Sequence, residues 1–178
     1  VIGEFVELLN RGVISVGDKA TLVIRKTGKI TNEGLLRFEG AAQVKWDSGT
    51  DATDDIAGEI ENKANGRMIL AGRGIVQIGV RFVNYGTVRI VETLLADIVL
   101  DISGGGMIGG YFSVSKLNNV EFNRSYEITH FATLRFVGNV RLFGEGSYKL
   151  LTGADASGTI TVDHFFVKLN GEALDLQK

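Results

Sequence analysis

Four aspartates crowd one short polar stretch of the sequence, KWDSGTDATDDIAG, directly after the single tryptophan. Carboxylate oxygens at this density are the ligands that Ca²⁺ prefers. An aromatic ring beside carboxylates is also a familiar way to hold a sugar. The spacing of the aspartates matches neither an EF-hand loop nor the calcium repeat of toxin-like solenoids. Two interpretations therefore stay open, a solvated loop beside a packed tryptophan or a ligand-binding surface made of Trp46, Asp47, Asp51, Asp54 and Asp55.

Other carboxylates are spread along the chain and suggest acid and base chemistry on a sugar chain. Cleavage of a glycosidic bond uses two carboxyl groups that flank the bond. No recognisable partner motif accompanies any of the candidates, so solvated charge is the competing interpretation. The candidates are Glu59, Glu61, Asp97, Asp101, Glu121 and Glu127.

Seven of the arginines are scattered at predicted strand positions and suggest an outward stripe that binds acidic glycans. A solvated strand face of mixed charge is the competing interpretation. The seven are Arg67, Arg73, Arg81, Arg89, Arg124, Arg135 and Arg141.

Composition excludes several function classes. The 19 basic and 21 acidic residues leave a net charge of −2, which provides no global attraction for nucleic acid. The absence of cysteine excludes disulfides, thiolate catalysis and thiolate metal sites. No apolar run approaches the roughly 18 residues of a membrane-spanning helix. We therefore expect no cofactor, no metal site, no nucleic-acid partner and no membrane insertion. Because the chain starts at Val1 and not at methionine, we also expect a fragment of a longer protein.

One sequence motif is repeated along the chain, and it appears as LLNRGVISV, ITNEGLLRF, IENKANGRMIL and RFVNYGTVRIV. Its asparagines, Asn10, Asn32, Asn62 and Asn84, follow one another at intervals of 22, 30 and 22 residues. The long interval contains the polar octet SGTDATDD, Ser48 to Asp55, which accounts for the excess as an inserted loop. A period near 22 residues lies in the range of solenoid coils.

Short apolar runs that alternate with polar residues indicate strands, and stacked coils place each strand parallel to the one below. The predicted fold is all-β, a single-stranded right-handed parallel β-helix (a β-solenoid) with coils of about 22 residues, forming one domain over residues 1–178. An ordinary hairpin meander is the alternative. At the Asn-x-Gly corners we expect left-handed backbone and stacked, hydrogen-bonded asparagines. The predicted inward residues are Val13, Leu22, Ile24, Leu36, Phe38, Val88, Ile90, Leu134 and Phe136.

The phrases FVNYGTVRI, ATLRFVGNVRLFGEG, DISGGGMIGGYFSV and SGTITV make the chain resemble the degenerate β-helix repeats of large secreted or surface adhesin-like proteins. The resemblance covers about two thirds of the chain. It implies a β-helix that serves as a spacer, stalk or adhesive surface without a defined catalytic constellation. Serine and threonine are scarcer here, and arginine, glutamate and lysine commoner, than in the bacterial versions.

The predicted function is a non-catalytic structural or adhesive module of a larger extracellular or cell-surface protein. The alternative is a carbohydrate-active β-helix enzyme, a polysaccharide lyase or glycoside hydrolase. Expected partners are other domains of the same protein and glycans or a surface receptor. Open strand edges would also favour end-to-end self-association. The segment Val1 to Asn10 has two interpretations, a short amphipathic helical cap or the first coil.

Overall fold

The structure is a computed structural model that describes residues 1–47, 58–91, 98–115, 118–122, 124, 126–129, 132–136, 139–142, 147–150, 160–162, 166–169 and 172–173. Every regular element in these residues is a strand, because the apolar residues recur at every second position. The strands are β1 (Glu7–Asn10), β2 (Val13–Val16), β3 (Thr21–Arg25), β4 (Lys29–Asn32), β5 (Leu35–Glu39), β6 (Gln43–Asp47), β7 (Glu59–Asn62), β8 (Arg67–Ala71), β9 (Gly74–Ile78), β10 (Arg81–Asn84), β11 (Thr87–Ile90), β12 (Ile98–Ile102), β13 (Gly106–Ile108), β14 (Tyr111–Val114), β15 (Asn119–Phe122), β16 (Tyr126–Ile128), β17 (Thr133–Phe136), β18 (Asn139–Leu142), β19 (Ser147–Leu150), β20 (Ile160–Val162), β21 (Phe166–Leu169) and β22 (Glu172–Ala173).

The strands form three sheets, and each coil from β1 to β18 contributes one strand to each sheet. The first sheet has the order β1-β4-β7-β10-β13-β16-β19-β21-β22, the second β2-β5-β8-β11-β14-β17, and the third β3-β6-β9-β12-β15-β18-β20. All pairings are parallel except that of β21 with β22. The predicted β-solenoid is confirmed, and the hairpin meander is not what the chain forms.

The register confirms the period that the asparagines predicted. Asn10 pairs with Asn32, Asn32 with Asn62, and Asn62 with Asn84. Residues 26–28 connect β3 to β4, whereas residues 48–58 connect β6 to β7, which is eight residues more. The excess therefore falls in the connection that holds the polar octet. Residues 48–57 lie outside the described residues, so the inserted loop itself stays a prediction.

The core lies between the three sheets and consists of aliphatic and aromatic columns. Five of the predicted inward residues are buried in it, namely Ile24, Leu36, Phe38, Val88 and Ile90. Leu22 packs against the core and is partly buried. The side chains of Leu134 and Phe136 lie outside the described residues.

The prediction for Val13 was wrong. Its side chain is 68% exposed, whereas its neighbour Ile14 packs against the core. Val13 pairs with Leu35 and Ile14 with the fully buried Leu36, so the alternation in β2 runs opposite to the prediction. A shift of one residue in a strand moves every side chain to the other face.

Each Asn-x-Gly corner is held by a ladder of asparagine side chains. Asn10, Asn32 and Asn62 each donate from Nδ2 to Oδ1 of the asparagine one coil further on, at 2.7 Å in every case. The same Nδ2 groups also donate to the carbonyl oxygens of Leu35, Arg67 and Thr87. The predicted stacking of asparagines is confirmed. The ladder stops after Asn84, because Ile108 occupies the next position of the column.

The predicted left-handed backbone at these corners was wrong. Neither the ladder asparagines nor the glycines that follow them have positive φ. Positive φ occurs instead at other turns, for example at Gly40 and Gly72. The glycines at these corners, called the corner glycines, are Gly12, Gly34, Gly66 and Gly86. Glycine is needed at positions 34, 66 and 86 because the coils approach closely there. A Cβ on Gly34 would lie 2.3 Å from the Gly12 carbonyl oxygen, and a Cβ on Gly86 would lie 2.3 Å from that of Gly66.

The first ten residues form part of the stack and not a helical cap. Ile2 makes a parallel bridge to Ile24, and β1 begins the first coil at Glu7. Of the two interpretations of this segment, the coil is therefore the one observed. In the described part of the chain, β1 and β2 each pair with a strand on one side only. The N-terminal end of the stack consequently presents open strand edges.

Candidate functional site

The two described residues of the predicted ligand surface lie at the end of β6. Trp46 pairs in register with the fully buried Ile24, is half-buried and packs against the core. Its indole nitrogen is buried and finds no hydrogen-bond acceptor in the described part of the chain. Asp47 accepts a hydrogen bond of 3.2 Å from Nε of Arg25.

The other three residues of that surface, Asp51, Asp54 and Asp55, lie outside the described residues. The proximity of these carboxylates to Trp46 therefore stays a prediction. Among the described residues, no group of three or more histidine, aspartate and glutamate side chains is arranged to hold a metal ion.

A denser group of charged residues covers the outer side of the first sheet. The register places Lys29 of β4 directly opposite Glu59 of β7, and Glu59 opposite Arg81 of β10. Nζ of Lys29 lies 3.0 Å from Glu59 and 2.5 Å from Glu61. Nζ of Lys63 lies 2.6 Å from Glu61, and Arg81 contacts Glu59. We call these five residues the charged cluster.

Glu61 is the most enclosed carboxylate of the charged cluster, with a side chain only 11% exposed. Burial alone would raise its pKa, but hydrogen bonds and positive charge from Lys29 and Lys63 outweigh burial and lower the pKa. Burial would likewise lower the pKa of Lys29, but hydrogen bonds and negative charge from Glu61 and Glu59 outweigh burial and raise it. Both groups are therefore held in their charged forms.

This arrangement bears on acid and base chemistry. Glu59 and Glu61 are two of the sequence candidates and lie on the same side of β7, since side chains alternate along a strand. A general acid in glycoside cleavage needs a raised pKa so that it carries a proton at neutral pH. Glu61 has the opposite shift, and both carboxylates are occupied by ion pairs.

Three other candidate carboxylates lie on other strands of the described sheets. Asp101 of β12 belongs to the third sheet, where it pairs in register with Glu121 of β15. Glu127 lies in β16 of the first sheet, and its side chain is outside the described residues, as is Asp97. The structure thus divides the five candidates that it places between two sheets.

We predict that Glu61→Gln destabilises the protein by about 1 to 2 kcal/mol at pH 7, since charge-assisted hydrogen bonds to a buried carboxylate are lost. Because the folded pKa of Glu61 is lowered, its contribution is complete above the usual pKa of 4.5 and is lost as the pH falls through the lowered value. The difference between the variant and the parent should therefore shrink in acid. Urea unfolding midpoints between pH 7 and pH 3 measure it.

Glu33→Gln is the matched control, because Glu33 forms an exposed ion pair with Arg11. Such pairs contribute little to stability. An equal loss in both variants, or a Glu61→Gln deficit that does not change with pH, would contradict the assigned role of the charged cluster.

The charged cluster was missed in the sequence because its ion pairs between neighbouring coils join residues that lie 22 to 32 positions apart. The repeat period is the signal that could have found it. An interval of 30 residues between equivalent positions of the second and third coils puts Lys29 opposite Glu59.

The structure separates the seven arginines of the predicted stripe. Arg81 belongs to the charged cluster, and Arg141 lies in the third sheet. Arg73 lies between β8 and β9, and Arg124 lies between β15 and β16. Arg67 and Arg89 lie in the second sheet, and so does Arg135 in β17. Arg37, which the sequence did not single out, faces outward from β5 beside them. One uniform stripe is therefore not formed, but a smaller group of arginines is.

Two further observations concern membrane-spanning helices and similarity to known proteins. In the described part of the chain, no helix is long and apolar enough to cross a membrane. Membership of the adhesin-like repeats stays a prediction that rests on the repeated phrases. No protein-family model, curated protein or solved structure matches the chain.

Proposed function

We propose that the chain is a non-catalytic structural or adhesive β-helix module of a larger extracellular or cell-surface protein. The observation that carries the proposal is the continuous register of the three sheets, fixed at the corners by the asparagine ladder. Buried, fully connected polar ladders rigidify a structure, since breaking any member leaves its neighbours unsatisfied. A rod of this kind suits a spacer that holds other parts at a fixed distance.

The ion-paired state of the candidate carboxylates also supports the proposal. Glu59 and Glu61 are each paired with two cations, and the lowered pKa of Glu61 is unfavourable for a proton donor. Their role is better explained by cohesion between the second, third and fourth coils. A polysaccharide lyase or hydrolase remains the competing function, since Asp101 and Glu121 lie side by side on another sheet.

The test is incubation with a panel of acidic and neutral polysaccharides, followed by assays for new reducing ends and unsaturated products. We expect no turnover by the protein. A known polysaccharide lyase, assayed in parallel, is the positive control that shows the assay detects cleavage. Reproducible turnover that is abolished by Glu59→Gln, Glu61→Gln or Asp101→Asn would overturn the proposal.

We further propose that a second copy of the chain stacks on the N-terminal end. Open strand edges tend to pair, and this end also exposes apolar side chains. Leu8, which is in register with the buried Ile30, is 36% exposed, and Leu9 is 43% exposed. Sedimentation velocity should show association that rises with concentration and that Leu8→Lys abolishes.

Ile75→Lys is the control for this prediction. Ile75 is 50% exposed on the flank of the third sheet, away from the open end. Its replacement should leave association unchanged. A monomer at all concentrations, or equal loss of association in both variants, would show that the open end is not the contact.

A further inference from the structure

Three arginines form a compact group on the outer side of the second sheet. Arg37 of β5 and Arg89 of β11 pair in register with the same residue, Ile69, from opposite sides. Their backbones are two strand spacings apart, or about 10 Å. Arg67 of β8 lies between them, diagonal to both, because it pairs with Leu35 and Thr87. All three side chains are exposed. We call this group the arginine face.

The arginine face has an unbalanced charge. Among the described side chains on the outer side of the second sheet, Glu39 is the only carboxylate, and it lies 2.7 Å from Nε of Arg37. No ion pair involves Arg67 or Arg89 in the described part of the chain. Like charges at diagonal positions repel, so the sheet carries an electrostatic cost that a bound anion would remove. The charged cluster on the first sheet, by contrast, contains its own counter-ions.

The neighbouring side chains suit a sugar polymer. The guanidinium carbon of Arg89 lies 5.8 Å from the ring centre of Tyr111, a cation–π contact that fixes the guanidinium over the ring. Thr87 pairs with Tyr111, and Ser113 pairs with Arg89, so hydroxyl groups alternate with the cations. A planar guanidinium binds carboxylate or sulfate through two parallel hydrogen bonds.

We propose that the arginine face binds a linear acidic polysaccharide, one that carries carboxylate or sulfate groups. This inference rests on the proposed function and names the partner of the adhesive surface. An extended polymer with regularly spaced anions matches cations that repeat from strand to strand along the stack. The net charge of −2 gives no general attraction for polyanions, so binding depends on this local group.

Binding can be measured by isothermal titration with heparin, polygalacturonate and neutral dextran. We expect saturable binding to the two acidic polymers, none to dextran, and weakening with added salt. The double variant Arg67→Ala/Arg89→Ala should weaken binding at least tenfold. The double variant with lysine at both positions should retain part of the affinity, because it keeps the charge but loses the two-point geometry.

Arg11→Ala is the control, because Arg11 is exposed, forms an ion pair with Glu33, and lies between β1 and β2, outside the arginine face. It should bind as the parent does. Wild-type affinity in the double alanine variant, or equal binding to dextran, would overturn the proposal. Tighter binding to single-stranded DNA than to either acidic polymer would overturn the choice of a polysaccharide. These outcomes are distinct from failure of the proposed function, which would appear as cleavage of the polymer.

Discussion

Gly86→Ala should destabilise the protein by about 3 kcal/mol or more, at the upper end of the cost of overpacking. A Cβ at this position would lie 2.2 Å from the carbonyl oxygen of Lys63 and 2.3 Å from that of Gly66. Both are backbone atoms, so the conflict cannot be relieved by a change of rotamer, and the coils would have to separate. Chemical denaturation followed by circular dichroism gives the change in midpoint.

The chain contains its own control for this substitution. Gly12 occupies the equivalent corner of the first coil, and a Cβ there meets no atom within 4 Å, because β2 is an edge strand in the described part of the chain. Gly12→Ala should therefore be neutral or stabilise by up to about 1 kcal/mol, through a smaller loss of chain entropy on folding. Equal effects of the two substitutions would show that close stacking is not what requires glycine at the corners.

Asn62→Leu should lower the free energy of unfolding by roughly 3 to 5 kcal/mol. Removal of one member of the ladder leaves several buried polar groups without a hydrogen-bond partner, at about 1 to 3 kcal/mol each. Asn32 would lose an acceptor for its Nδ2 group, Asn84 a donor to its Oδ1, and Thr87 a donor to its carbonyl oxygen. Leucine has a similar size, so the loss reports hydrogen bonding more than volume. Denaturation midpoints of purified variants measure it.

Asn84→Leu is the matched comparison. Asn84 ends the ladder and precedes Ile108 in the column. Its Oδ1 accepts a hydrogen bond of 2.7 Å from Asn62, whereas its own Nδ2 makes only a long contact of 3.4 Å with the Tyr111 carbonyl oxygen. Its replacement removes one strong side-chain bond and should cost about 1 to 2 kcal/mol. A cost at Asn84 equal to or above that at Asn62 would contradict the view that the ladder acts as a connected unit.

The sequence predicted the coil period because one polar residue type recurs where the fold repeats. A buried asparagine side chain is costly unless it is hydrogen-bonded, and here each asparagine bonds to the equivalent asparagine of the next coil. The spacing of 22 residues therefore directly reports the coil length. The glycine spacing was less regular. In the third coil, three residues separate Asn62 from Gly66, whereas a single residue separates the pair in the first, second and fourth coils. The corner therefore lengthened without a shift of the ladder.

Two other features could not be read from the sequence. The orientation of β2 was predicted wrongly because both Val13 and Ile14 are apolar, and only the buried partner of Ile14 in the next coil distinguishes them. The role of the corner glycines was assigned to backbone conformation, although contact between coils is the cause. Both depend on the neighbouring coil, which a single repeat does not reveal.

The candidate site was less predictable than the fold for the same reason. Ion pairs such as Lys29 with Glu61 join residues of neighbouring coils, as does the diagonal placement of Arg37 and Arg67. Trp46, the only tryptophan, lies in register with Ile24 and packs against the core, and its predicted role beside the aspartates stays a prediction.

The most direct test of the proposed module is the chain length of an acidic polysaccharide after prolonged incubation with the protein at saturating concentration. Light scattering coupled to size-exclusion chromatography measures this length, and the same sample reports how much polymer is bound. The account predicts bound polymer of unchanged length. A length that falls with time in the parent, and stays constant in the Glu59→Gln/Glu61→Gln variant, would contradict it.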